Sequence, residues 1–266
     1  MTAAFARSLA IAMMALASLF LLAPLVVIAL SSLSPTPVFD LPLGGASLRW
    51  YAALGSLDGL WPALFLSLEI AILSTAVSLA IGTLAGIAIV RRIVPGADIL
   101  AAAATSPLMM PGLVLGIALL QYFRSLGLVQ TWTSLLLAHL VVTLPFVART
   151  MIAGLSRFDF TLIDAARTLG CSFMSSIWRV MVPALAPAYL IAALFSFLAS
   201  MDNYPVSIFL TDARAKTLPV KMLQYIEESP DPSIAALSTL ILVATLTLLL
   251  VADRTIGLHR LAGLEG

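Results

Sequence analysis

Residues 62–90 read PALFLSLEIAILSTAVSLAIGTLAGIAIV, with Glu69 the one ionisable side chain, and the run stops at Arg91-Arg92 followed by Pro95-Gly96. About 20 apolar residues in helical form cross the roughly 30 Å hydrocarbon core of a bilayer, so this run is long enough to span. It lacks the alternation of polar and apolar residues that a membrane strand needs. A segment in lipid must also satisfy its own backbone, which leaves the helix.

The same pattern repeats outward from that helix. Upstream, no charge separates Arg7 from Asp40, and residues 8–30 form an apolar span that ends at Ser31-Ser32-Leu33-Ser34-Pro35. A signal peptide also places a basic residue before an apolar stretch, but its apolar core is only about 7–15 residues long. Downstream, further spans are predicted over 99–123, 129–148, 183–201 and 233–252, the fourth of the six lying between Arg124 and Arg149. The expectation is an all-α polytopic membrane protein, a single transmembrane domain over 1–266 with six helices. Composition agrees, since 61% of the 266 residues are hydrophobic and 10% charged, against roughly 25% charged in a soluble domain, and mean hydropathy is +1.09. These proportions exclude a soluble globular protein and a disordered one. A net charge of +1 gives no footprint for nucleic acid, and a single Cys171 excludes internal disulfides and a multi-cysteine metal site.

Basic residues set the orientation. With the N-terminus in the cytoplasm, Arg7, Arg91, Arg92, Arg149, Arg157, Arg167, Arg179, Arg254 and Arg260 lie inside, against Arg49, Arg124, Arg214, Lys216 and Lys221 outside. Nine against five follows the positive-inside rule. Acids gather outside at Asp40, Asp58, Asp212, Glu227, Glu228 and Asp231. Six spans then leave both termini in the cytoplasm.

The longest inward-facing segment, 149–183, reads as two short helices. Asp159 can cap the first and Gly170 supplies the left-handed residue that ends it; Ser172 can cap the second, and Pro183 opens the next span. Leu155, Phe158, Leu162, Ala166 and Leu169 recur at helical spacing and predict one apolar ridge, with Asp164 and Arg167 on more polar sides. Such a ridge suits docking into a protein groove.

Asp164-Ala165-Ala166, three residues, Gly170, nine residues, then Val180-Met181-Val182-Pro183 resembles the EAA signature of permease subunits of binding-protein-dependent ABC importers. That signature runs Glu-Ala-Ala, three residues, Gly, nine residues, Ile, any residue, Leu-Pro. The spacing matches throughout, with aspartate for glutamate and valines for isoleucine and leucine. The resemblance implies a MetI-like (type I) fold, with a coupling helix, between spans 4 and 5 within 155–183, that sits in a cleft of the ATPase. Asp164, Ala165, Ala166, Arg167, Gly170 and Pro183 are the positions carried over. It further implies an ATPase dimer that binds ATP and Mg, with no cofactor on this chain. A second, non-identical permease, a periplasmic solute-binding protein and residence in a bacterial inner membrane are implied as well. Pro107 to Gly116, Asp202-Asn203, Thr217-Leu218-Pro219 and Ala235 to Thr239 resemble the polyamine branch of this family, which implies putrescine, spermidine or a related amine as solute. That branch often carries an acid after the second proline of the third-span motif, where this chain has Gly112.

Ionisable groups within spans usually turn toward a cavity or partner. Glu69 either lines a path for a cationic solute or reaches water near the outer end of its helix. Asp202, followed by Asn203-Tyr204-Pro205, either meets a solute amine or stabilises a short outer re-entrant turn. His139 stands alone in the fourth span and suits a helix-to-helix hydrogen bond better than a metal or proton role. Pro107 and Pro111 should kink or unwind the third span beside the pathway. No phosphate-cradling Gly-x-x-x-x-Gly-Lys-Ser/Thr occurs, nor a hydrolase motif, so an enzyme is not expected. The competing reading is a secondary transporter with a buried acidic site, against which stand the coupling-type loop and the lack of an inverted repeat.

Overall fold

The computed structural model describes residues 3–38 and 45–256, so Asp40, His259 and Arg260 lie outside the described residues. All regular structure in the described residues is helical. The order is α1 (Ala3–Ser31), α2 (Arg49–Ala53), α3 (Leu60–Val90), α4 (Ala97–Thr105), α5 (Gly112–Ser125), α6 (Thr131–Leu155) and α7 (Thr161–Thr168). It continues with α8 (Phe173–Ser176), a π-helical turn at Ile177–Met181, α9 (Val182–Ala184), α10 (Ala186–Met201), α11 (Tyr204–Leu210), α12 (Leu218–Glu228) and α13 (Ser233–Ile256).

Four stretches are long and apolar enough to cross a bilayer unbroken, Arg7–Ser31, Leu60–Val90, Thr131–Leu155 and Ser233–Arg254; counting each of two bent pairs as one span gives six. The third span is not the single run expected over 99–123. Its two limbs meet at 109° around Met110-Pro111, because Pro111 offers no N–H and pushes Met110 into an extended conformation (φ −87°, ψ 136°). The fifth breaks by 74° at Leu185 rather than starting cleanly at Pro183. The fourth runs on past Ala148 to Leu155, carrying Arg149 within the helix.

The chain divides into two compact units. The first, residues 1–58 and 222–248, contains α1, α2 and most of α13. None of the most apolar stretch of α1 is buried. Its end is pinned by Ser32 Oγ, 2.7 Å from the Tyr51 hydroxyl, and by the Trp50 indole N–H donating to the Ser34 carbonyl at 2.8 Å. Asp231 caps α13, accepting from the Ser233 N–H at 2.8 Å and from the Tyr225 hydroxyl at 2.9 Å. Burial and the Asp231 charge together raise the Tyr225 pKa.

The second unit, residues 59–221 with 249–266, is built on α3, α6 and α10 packed against one another. Lipid tails are as apolar as leucine, so helices in a membrane associate by close approach and by hydrogen bonds rather than by the hydrophobic effect. The buried face of α3 is accordingly small: Ala63, Ser67, Ala71, Ser74, Ser78, Gly82 and Gly86 recur about every four residues. A Cβ on Gly82 would lie 2.6 Å from Val147 Cγ1 of α6, and one on Gly154 of α6 would lie 2.9 Å from Ala188 Cβ of α10. Ser78 and Thr143 hydroxyls bridge α3 to α6 at 2.7 Å.

Candidate functional site: a coupling helix and a polar turn

The segment 155–183 is built by local chemistry. Asp159 Oδ1 accepts from both the N–H of Thr161 at 2.9 Å and its hydroxyl at 2.7 Å, which orders the start of α7. These two bonds, the hydroxyl's first, hold the Asp159 carboxyl below the usual range. At the other end Gly170 takes φ +92°. The Gly170 N–H reaches the Arg167 carbonyl at 3.0 Å and the Cys171 N–H reaches that of Ala166 at 3.1 Å. This pair of bonds is a Schellman motif, and it needs a left-handed residue at position 170. Ser172 Oγ then accepts from the Ser175 N–H at 3.2 Å and opens α8.

The expected apolar ridge is split. Leu155 belongs to the end of α6 and is buried, Phe158 is half-buried in the connecting loop, and the residue of α7 that enters the core is Ile163, which no spacing argument singled out. Ile163 packs in one cluster with Val147, Met151, Leu155, Met181 and Leu185. Arg91, at the end of α3, lies with its guanidinium carbon 5.2 Å from the centre of the Phe160 ring and steadies the approach to α7. Leu162 and Leu169 point outward, Leu169 being 86% exposed, and Phe173, Met174 and Trp178 extend the exposed apolar surface. Asp164, Ala165, Arg167, Gly170 and Pro183 are exposed or half-exposed and Ala166 is half-buried. Asp164 and Arg167, with Thr168, Cys171, Ser172 and Phe173, line an open recess of about 480 Å³.

On the opposite side of the spans, α10 ends at the Asp202-Asn203 turn. Asn203 caps α11, its Oδ1 accepting from the Val206 N–H at 3.2 Å. The capping task thus falls to Asn203, while the Asp202 carboxylate is exposed. Pro111 opens α5 beside this turn, because a Cβ on Gly112 would lie 2.9 Å from Pro205 Cβ. Gly116, one turn on, lies under Pro205 and Phe209, so α5 and α11 pack through the Gly112-x-x-x-Gly116 spacing. Pro111 and residues 202–205 therefore share one place. Glu69 stands apart, its Oε1 accepting from the Trp132 indole N–H at 3.1 Å at the start of α6.

His139 is buried and bridges helices as expected, with Nδ1 2.7 Å from Ser200 Oγ of α10 and Nε2 3.0 Å from Ser207 Oγ of α11. At the start of α6, the Thr131 hydroxyl donates to Asp212 at 2.5 Å. That bond, with the N–H groups of Ala215 and Arg214, lowers the Asp212 pKa. Among the described residues no group of three or more His, Cys, Asp or Glu side chains could hold a metal ion.

Residues 78–259 match the family described as "Binding-protein-dependent transport system inner membrane component". The chain is 30% identical over 234 residues to the spermidine/putrescine transport system permease protein PotC of Escherichia coli (strain K12), covering 88% of each. It is 29% identical to the putrescine transport system permease protein PotI of the same organism, covering 85% of this chain and 82% of that one. The trehalose transport system permease protein SugB of Mycobacterium tuberculosis is also 29% identical, over 73% of each chain. A bacterial ABC transporter involved in the import of alginate, solved by crystallography, shares the fold with a TM-score of 0.73 at 16% identity, covering 94% of this chain and 95% of that one. The chain belongs to the inner-membrane permeases of binding-protein-dependent ABC importers, non-catalytic subunits whose ATP is hydrolysed by a separate ATPase.

Proposed function

We propose that this permease domain forms half of the pore for ATP-driven uptake of a small amine-bearing solute, putrescine or spermidine foremost, across a bacterial inner membrane. A periplasmic binding protein delivers the solute. An ATPase dimer, the holder of ATP and Mg, closes beneath the membrane, and a second, non-identical permease completes the path; this chain binds no cofactor. Six spans with both termini in the cytoplasm put α7 on the ATPase side and the 202–205 turn on the outer side. The observation that carries the coupling role is α7 itself. It is fixed to the core by Ile163 and sharply ended at Gly170, yet it presents Leu162, Leu169, Asp164 and Arg167 outward. A lever needs such a form, rigid toward its own spans and apolar with a charged rim toward its partner.

On the pathway, the carboxylates of Asp202 and Glu69 suit a cationic solute, Asn203 and Tyr204 hold the turn that carries Asp202, and the break at Pro111 supplies a hinge beside it. The polyamine assignment draws on the similarity to PotC and PotI. To test the assembly, the tagged chain is extracted in mild detergent and its companions identified by mass spectrometry. An ATPase and a second permease are expected, and recovery of the chain without any nucleotide-binding subunit contradicts the reading. Reconstituted with those companions and the binding protein, it should take up radiolabelled putrescine or spermidine only with ATP.

A further inference from the structure

Buried hydroxyls around His139 form a chain whose hydrogen-bond directions can be assigned one by one. The Ser207 hydroxyl donates to the carbonyl of Asn203. A hydroxyl has a single proton, so toward His139 Ser207 Oγ is an acceptor, and Nε2 must carry the hydrogen across the 3.0 Å contact. His139 is 2% exposed, and hydroxyls alone meet its ring nitrogens. With no carboxylate at either nitrogen to balance an imidazolium, the ring is neutral. Nδ1 is then bare and accepts the Ser200 hydroxyl at 2.7 Å, while the single Ser74 proton is shared between the Ala71 carbonyl at 3.3 Å and Ser200 Oγ at 3.4 Å. The chain of donors runs one way, from α10 through α6 to α11, and ends on the residue that caps α11.

We infer that His139, as the neutral Nε2–H tautomer, is the positioning residue that fixes the Asp202-Asn203 turn against the core. Its Nε2–H holds Ser207 in the rotamer that bonds the Asn203 carbonyl, and Asn203 in turn holds the N–H of Val206 at 3.2 Å. One imidazole thereby sets where α10 stops and α11 starts. In the transport role proposed above, this places the Asp202 carboxylate at the outer end of the path. A hydrophobic residue at 139 would leave Ser200 and Ser207, 3% and 0% exposed, each short of a partner.

The test has two arms. The full chain carrying His259→Asn, which leaves His139 the single histidine, is labelled with nitrogen-15 histidine and measured in lipid bilayers by solid-state NMR. A protonated Nε2 beside a bare Nδ1 is expected, with a shift toward mixed tautomers in Ser207→Ala. A protonated Nδ1, an imidazolium, or a Ser207→Ala spectrum identical to that of the parent overturns the inference. In the reconstituted importer, His139→Leu should lower putrescine uptake roughly three- to fifteenfold, the span of measured interhelical hydrogen bonds in membranes. His139→Gln, which keeps a donor toward Ser207, should recover most of it, and equal loss in both variants at equal membrane level speaks against positioning through the hydrogen bond. The spectroscopic arm stands whatever the solute proves to be, so a wrong solute and a wrong tautomer are told apart.

Discussion

The indole N–H of Trp132 donates to the Glu69 carboxylate at 3.1 Å, beside an exposed face of α3 that carries Phe65, Ile72 and Leu73. A carboxylate costs about 2.5–3.5 kcal/mol at the centre of a lipid-facing helix and less toward its end, so on the pathway role proposed for Glu69 its charge, rather than the indole bond, should matter to uptake. Glu69→Gln keeps an acceptor for Trp132 and removes the charge. Its KM for putrescine uptake should rise about tenfold, the worth of about 1.4 kcal/mol, with kcat little changed. Trp132→Phe should change KM less. An unaltered KM in Glu69→Gln would assign the pair to helix packing alone.

At Gly170 the backbone has φ +92° and donates to Arg167. Proline can satisfy neither requirement, since its φ is fixed near about −65° and it has no N–H. Gly170→Pro should abolish uptake and release the ATPase during purification while the chain still reaches the membrane. Asp164→Lys should uncouple as well, by reversing the charge beside the apolar ridge. Leu169→Asp alters a side chain that is 86% exposed; it should lower ATPase recovery and leave thermal stability within about 0.5 kcal/mol of the parent. Normal uptake in all three variants would refute the coupling role.

Packing of α5 on α11 leaves no room at Gly116, where a Cβ would fall 2.7 Å from Phe209 Cδ2 and 2.9 Å from the Pro205 carbonyl oxygen. Because part of the obstacle is backbone, Gly116→Ala should destabilise by about 1–3 kcal/mol, read as a lower melting temperature in detergent. Gly55, whose added Cβ meets nothing within 4 Å, supplies the control. Equal melting points for the two alanine variants would contradict the packing described.

Pro111→Ala restores an N–H and lets the helix continue across a break of 109°. If the break is a hinge, uptake falls several-fold with unchanged membrane level, since proline in a helix interior opposes continuation by about 3 kcal/mol. Transport equal to the parent would remove the hinge.

Acid should loosen the start of α7. The Asp159 pKa is lowered in the fold, so its contribution to ordering the helix is fully present above the unfolded value near about 3.9 and is lost as pH falls through the lower folded value. Hydrogen exchange of the Thr161 N–H should therefore rise relative to neighbouring amides only below about pH 4. Asp159→Asn should show no such step, and a step centred near neutrality would point to another group.

Much of this architecture can be read from residues in order. The apolar runs mark the spans, and Asp159, Gly170 and Ser172 bracket the short helices α7 and α8 where their side chains or φ require. Two features are hidden from a reading for charge alone. The small residues of α3, Ser67, Ala71, Ser74, Ser78, Gly82 and Gly86, repeat at helical spacing and mark the face that meets α6 and α10, a signal lost when Ser and Gly are counted only as interruptions. Ile163 escapes a ridge extrapolated as one continuous helix from Leu155, because the chain leaves α6 at that residue and restarts its phase at Thr161. The His139 bridge is foreseeable as a helix contact, but its partners Ser200 and Ser207 lie 61 and 68 residues away and no local pattern links them.

The π-helical turn at Ile177–Met181 gives the connection between α8 and α9 a dimension that amino-acid identity does not set. A π turn carries one residue more than an α turn, and each added residue rotates the next part of a helix by about 100°. Deleting a single residue here would let the segment relax into ordinary α-helix only by changing the phase between Gly170 and Val180, against the packing of Ile163 with Met181 and Leu185. The nine residues between Gly170 and Val180, the π turn among them, thus set the rotational phase between the end of α7 and the span that follows.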